Sequence, residues 1–136
     1  MFHNFRLFQI VLLALAHSTS GTSQTYAFEV CPIALEMPTY PPLAWAARIA
    51  GSGTATVALD AAKIRTIKTV GFNPLLVAEI ERTLRRSHFS DCGPRELTFQ
   101  YDFVIEGSEA ASRVTTIVVL GASHFMIKVN PPMIMP

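Results

Sequence analysis

Between Tyr40 and Asp60 the chain switches its hydrophobic period, and that switch dictates how the folded part begins. Pro41 and Pro42 hold φ near the helical value and lack the N–H groups that a first helical turn leaves unpaired, so a helix can start there. Leu43 to Ile49 then reads as two turns: Ala44, Ala46 and Ala47 are strong helix formers, and Leu43, Ala47 and Ala50 share a face. Gly51 is the residue most easily placed left-handed at the helix end. From Thr54 to Leu59 the residues Thr54, Thr56 and Ala58 alternate with Ala55, Val57 and Leu59, the two-residue repeat of a half-buried strand.

The following segments extend this frame. Asp60-Ala61-Ala62-Lys63 offers no glycine for positive φ, which predicts a type I or bulged connection rather than a two-residue primed turn. Ile64 to Val70 is a second strand whose apolar positions 64, 67 and 70 break strict alternation, predicting a bulge. Asn73-Pro74 is a strong helix start, a capping side chain followed by a residue suited to the first helical position. Leu76, Ile80 and Leu84 give that helix, Pro74 to about Arg86, one stripe for the sheet. Its acidic residues, Glu79 and Glu81, precede Arg82, Arg85 and Arg86, an order that complements the helix dipole and marks a solvated face. Glu96 to Ile105 alternates Leu97, Phe99, Tyr101 and Phe103 with Glu96, Thr98, Gln100 and Asp102, a strong strand pattern. After the polar stretch 106–113, Val114 to Leu120 and Phe125 to Val129 read as a β-hairpin stopped by Pro131-Pro132. The expected fold is α+β: an antiparallel sheet of three core strands plus a C-terminal β-hairpin, one main helix packed on the sheet, and a short helix before it.

Tyr-Pro-x-x-Ala, then Ile-x-Gly, then an alternating strand closed by Asp is carried here by Tyr40, Pro41, Ala44, Ile49, Gly51 and Asp60. This order and spacing resemble the opening of the TonB C-terminal domain family. The resemblance covers Pro38 to Glu106, about half the chain. It implies a periplasmic domain that recruits an extended segment of an outer-membrane transporter alongside its last core strand, by strand addition. Carried over by strand position, the accepting edge is Glu96 to Val104, with Thr98, Gln100 and Asp102 facing the partner. Two family features differ: the Gln three residues before the Tyr is Met37 here, and the Trp-x-Phe-x-Pro that closes the family's helix is replaced at Ser87, Phe89 and Asp91, where only the Phe is kept. TonB-like sheets also pair edge to edge, which admits a homodimer.

Residues 1–27 have the parts of a secretory signal: a lone Arg6, an apolar run from Leu7 to Ala16 interrupted by Gln9, and a small or hydroxylated tail ending at Ala27. The run is shorter than the roughly 20 residues a membrane span needs. Cleavage after Ala27 is the first expectation, with Gly21 or Ser23 as alternatives and an uncleaved anchor extended by Phe2 and Phe5 as the competing reading. The chain then divides into a signal peptide 1–27, an extended lead-in 28–37, a TonB C-terminal-like domain 38–106 and a hairpin extension 107–136. The expected location is the periplasm or the exterior. Cys31 and Cys92 are the two cysteines, and in an exported chain they most simply pair. Closing that loop would contribute roughly 4 kcal/mol at most in the chain-entropy model. The competing reading is a thiol or metal site built from Cys31, Cys92 and His88.

Half of the residues are hydrophobic, only 15% are charged, and the formal net charge is +1, which removes the electrostatic footprint of a nucleic-acid binder. No hydrolase elbow, zinc-protease pair, phosphate loop or useful carboxylate pair is present, so no catalytic residue, cofactor or metal is expected. Beyond the leader only His88 and His124 remain, and each suits a surface or turn position. Trp45 suits packing. The first functional expectation is therefore an adaptor that contacts an outer-membrane transporter or another envelope protein through a sheet edge, in energy-dependent transmembrane transport. The alternative is a stand-alone structural or dimerising domain in which the terminal hairpin has taken over that edge. A small enzyme using Cys92 with His88 ranks third. Energy transduction itself asks for a long linker, whereas Phe28 to Thr39 reaches on the order of 40 Å at about 3.5 Å per residue.

Overall fold

The computed structural model describes residues 23–28 and 31–134, with side chains from Ile33 onward. In chain order the elements are β1 (Ser23–Phe28), β2 (Cys31–Glu36), α1 (Pro42–Ala46), β3 (Gly51–Asp60), β4 (Lys63–Val70), α2 (Pro74–Arg86), β5 (His88–Phe89), β6 (Arg95–Ile105), β7 (Thr115–Gly121) and β8 (His124–Val129). They form an α+β structure with two sheets. The larger has five strands in the order β4-β3-β6-β8-β7, and the smaller is antiparallel, β1 with β2 and the two-residue β5.

Two parts of the expected sheet are corrected. The C-terminal hairpin does not follow an antiparallel three-strand core as an appendage, because β8 lies directly beside β6. That pairing is parallel, Gln100↔His124 through Ile105↔Val129, so the sheet is mixed. The physical reason is burial. Phe125, Ile127 and Val129 stand opposite Tyr101, Phe103 and Ile105, and all but the partly buried Ile105 are almost wholly removed from solvent. Burying each large apolar side chain stabilises the fold by roughly 1.5–3 kcal/mol.

One face of the large sheet makes the core. Ala55, Val57 and Leu59 of β3 and Phe99, Tyr101 and Phe103 of β6 face Leu76, Ile80 and Leu84 of α2, with Ile33 and Leu35 of β2 beside them. The expected stripe on α2 is therefore the buried one, joined by Thr83. Asn73 Oδ1 accepts the Leu75 N–H at 3.0 Å and Pro74 opens the helix. The opposite face of the sheet carries the polar alternates of β3 and β6, among them Thr54, Thr56, Thr98 and Gln100.

Two turns depart from expectation. Ala61 and Ala62 both take positive φ, 50° and 69°, in a two-residue turn that keeps Asp60 opposite Lys63. The primed geometry matches strand twist, and this tight register outweighs the roughly 1–2 kcal/mol that a left-handed alanine costs. The bulge foreseen in the second strand is present, with Ala58 opposite Thr66 but Leu59 opposite Ile64, so Arg65 is the extra residue. The left-handed residue that caps α1 is Arg48, φ 55°, while Gly51, also at positive φ, 151°, opens β3 instead. The Ile49 N–H reaches the Ala44 carbonyl and the Arg48 N–H reaches that of Trp45, the paired bonds of a Schellman cap.

The leader read over residues 1–27 lies outside the described residues as far as residue 22. Its last part, Ser23 to Ala27, belongs to β1, so cleavage after Ala27 would leave β2 paired with β5 alone. Within the lead-in 28–37, Cys31–Glu36 form β2.

Candidate protein-binding edge

The motif positions have structural roles. Tyr40 is fully buried, donates its hydroxyl to the Ile49 carbonyl, and sets its ring edge-on to Phe103 at 5.5 Å. Burial pushes its pKa up to about 12. Pro41 stands at the N-cap of α1, Ala44 is fully buried under it, and Asp60 closes the β3–β4 turn. Trp45 donates its indole N–H to the Asn130 carbonyl at 2.7 Å, so it ties α1 to the chain that leaves β8.

Cys92 is disulfide-bonded, which leaves it no thiol for the Cys–His reading. Cys31 is the one other cysteine of the chain, and its side chain lies outside those described. The backbone register is consistent with their pairing, because Ile33 opposite Phe89, continued outward, brings Cys31 beside Asp91 and Cys92. Among the described residues no group of three or more His, Cys, Asp or Glu could hold a metal ion, and no helix is long and apolar enough to cross a membrane.

Thr98, Gln100 and Asp102 share the open face of the sheet, but β6 is its middle strand rather than an edge. Over Gln100–Phe103 both sides of β6 are paired, and β8 continues to Ile105 on the side where a partner was expected. Thr98 Oγ1 lies 3.0 Å from Thr56 Oγ1. Asp102 Oδ2 lies 2.6 Å from His124 Nε2, a contact that pins the start of β8 to β6. Burial alone would raise the Asp102 pKa, but hydrogen bonds from His124, Ser52 and Gln100 and the His124 charge outweigh it and hold the carboxyl below its ordinary value. Ser52, Asp102 and His124 are the residue types of a hydrolytic triad in the wrong order. The carboxylate, not the imidazole, stands in the middle, so the hydroxyl is not bonded to a ring base.

Along Arg95–Thr98 β6 pairs with β3, and its pairing with β8 begins at Gln100. This stretch borders an open depression lined by Arg65, Thr66, Pro94, Arg95 and Glu96. Arg95 Nε and Nη2 are already buried there without a hydrogen-bond partner.

Among the described residues the ends of the sheet are β4 and β7. β4 carries Lys63, Arg65 and Lys68 along eight residues and adds the bulge at Arg65. β7, TTIVVLG, has no charged residue. Val118, Val119 and Leu120 are exposed at 36%, 46% and 48%, and Val114 just before the strand at 63%. The inner side of β7 is paired to β8, and its start is tied to the chain before α1 by Thr115 Oγ1, which accepts the Tyr40 N–H at 2.9 Å. Neither the exposure of β7 nor the Asp102–His124 contact could be seen without knowing where β8 docks. The sequence signal that existed was the uncharged run itself.

Geometry and sheet order thus define an α+β domain with a terminal apolar strand. Comparison with protein-family models, curated proteins and solved structures finds no match to this chain.

Proposed function

We propose that this chain is an exported, TonB C-terminal-like binding domain that takes one extended segment of an envelope partner onto its sheet by strand addition. The accepting edge is β7. In this reading β3, β4 and β6, with α2 packed on them, correspond to the family's three-strand core, and β8 fills the place beside β6 that the family leaves to its partner. Contact with an outer-membrane transporter, in energy-dependent transport across that membrane, is the use the resemblance implies. The signal-like composition of residues 1–27 supports a periplasmic location, and a Cys31–Cys92 bridge suits that compartment.

The observation that carries the reading is the uncharged, exposed β7 at one end of the sheet. A terminal strand presents unpaired N–H and C=O groups, and charges are what commonly keep such an edge from pairing. The test is site-specific photo-crosslinking in intact cells from a probe at position 118, with position 68 on β4 as the control. Cross-links from position 118 that map to one extended segment of an envelope protein support the proposal. Equal yields from both positions, or products from position 68 alone, would refute it. A second reading, the stand-alone dimerising domain, is favoured by the way the hairpin covers Gln100–Ile105 of β6. It is the outcome if position 118 cross-links only to another copy.

A further inference from the structure

We infer that Arg65 and Arg95 form a binding site for a phosphate-type oxyanion, at the end of the sheet where β3 turns into β4. The site lies among β4, β3 and β6, away from β7, so it goes beyond the strand-accepting reading and does not depend on it. Register builds it. Arg95 stands directly opposite Leu59 across the β3–β6 pair. On the other side of β3, Leu59 faces Ile64, and the bulge inserts Arg65 between Ile64 and Thr66. Because Thr66 is opposite Ala58, alternation sets Arg65 on the face of Leu59 and Ile67. Both arginines therefore flank Leu59 on one face. Neighbouring strands lie about 4.8 Å apart, so the two backbones are roughly 10 Å from each other, within reach of two long side chains closing on a single group.

The state of the charges is a second, independent observation. Arg95 Nε and Nη2 are buried with no hydrogen-bond partner. These two nitrogens donate from the same edge of the guanidinium, the edge that holds two oxygens of one oxyanion side by side. Among the described residues neither arginine is joined to a carboxylate. The nearest acids in sequence, Asp60 and Glu96, follow Leu59 and Arg95 directly, and alternation sends them to the opposite face. Two cations thus share a face without a counter-charge, and one of them has its donors desolvated as well. A bound anion relieves both penalties.

Both residues line one open depression of about 480 Å³, together with Leu59, Thr66, Pro94 and Glu96. Nε and Nη2 are closed off from water, while Arg95 as a whole is only partly buried. Binding therefore turns the guanidinium into the depression and leaves its backbone paired with Leu59. Two positive charges favour a dianion over a singly charged carboxylate. The ligand is inorganic phosphate or a phosphate monoester carried by a larger molecule that the open depression admits.

The experiment follows the arginine Nε–H signals by NMR on the full chain with its disulfide intact, at an ionic strength held constant with chloride. Inorganic phosphate is expected to shift the Arg95 signal saturably, with half-saturation on the order of millimolar. Arg65→Gln and Arg95→Gln, the latter read at the Arg65 signal, should each weaken binding about tenfold or more, and Arg113→Gln in the exposed 106–113 stretch should leave it unchanged. Arg95→Lys serves if Arg95→Gln does not fold, and it should weaken binding similarly because an ammonium has no two-donor edge. Glycerol phosphate binding tighter than inorganic phosphate identifies a monoester as the source, and the reverse order identifies the free ion. No saturable shift up to roughly 50 mM phosphate overturns the inference. So does undiminished affinity in a folded Arg65 or Arg95 variant, or acetate binding as tightly as phosphate.

Discussion

β4 and β7 occupy equivalent places at opposite ends of one sheet, yet they are built in opposite ways. β4 alternates cations with apolar residues and is bulged at Arg65, so a strand approaching it meets Lys63, Arg65 and Lys68. β7 offers an uncharged, β-branched row of similar length. Among the described residues neither end has a further strand beside it, and the charge that discourages pairing is present on β4 and absent from β7. The two ends thus differ in side chains where the backbone alone would make them alike.

The comparison can be broken first at the level of the core. Phe125→Ala, on the strand that carries β7, removes a fully buried ring and should destabilise the chain by about 3–5 kcal/mol. Ile67→Ala on β4 truncates a partly buried side chain and should cost clearly less. Urea unfolding of both variants checks this. Equal losses would mean that the two ends are equally integrated and that β7 is no special place.

A smaller effect is expected at the junction that holds β8. The folded Asp102 pKa lies below its unfolded value, so the unfolded chain binds more protons in that range and stability rises with pH there. The contribution of Asp102 is complete above the ordinary aspartate value of about 4 and is lost as pH falls through its folded pKa. Unfolding midpoints measured across this acid range should fall less steeply for Asp102→Asn than for the wild type. Superimposable acid limbs would remove Asp102 from the account of how β8 is held.

The smallest effect on the monomer, and the sharpest on the comparison, comes from stripping β4 of charge. Lys63→Thr, Arg65→Thr and Lys68→Val combined should each shift monomer stability by no more than about 0.5 kcal/mol, as exposed substitutions do. They should nevertheless give the sheet an uncharged edge at β4, and the self-association this allows would be registered by sedimentation. A triple variant that keeps the wild-type mass would show that charge is not what distinguishes the two ends.

Much of the fold was legible because local pattern and tertiary role agree. The alternation from Leu97 to Phe103 became the middle strand, Asn73-Pro74 became a capped helix start, and the broken period of Ile64, Ile67 and Val70 became a bulge. What was not legible depends on long-range pairing. Hairpin periodicity says that β7 and β8 pair with each other but not which of them docks, or in which direction. Parallel docking of β8 follows from the fit of Phe125 against Tyr101, with ring centroids 5.8 Å apart, and of Ile127 against Phe103. That one unseen step moved the open edge from Glu96–Val104 to β7. It also turned Asp102 from a partner-facing residue into one bonded within the sheet. The Ala61-Ala62 turn was missed for a similar reason, since the register on both sides of it outweighs local preference.

The parallel β6–β8 pairing also has a consequence in time. A chain made from its N-terminus completes β6 before any residue of β8 exists, so Gln100–Ile105 waits unpaired on one side. β7 and β8 are neighbours in sequence, and a hairpin of this kind forms within roughly microseconds. The second side of β6 can be closed only once residues 124–129 have been made. Until they arrive, the strand destined for the centre of the sheet is open to a wrong neighbour.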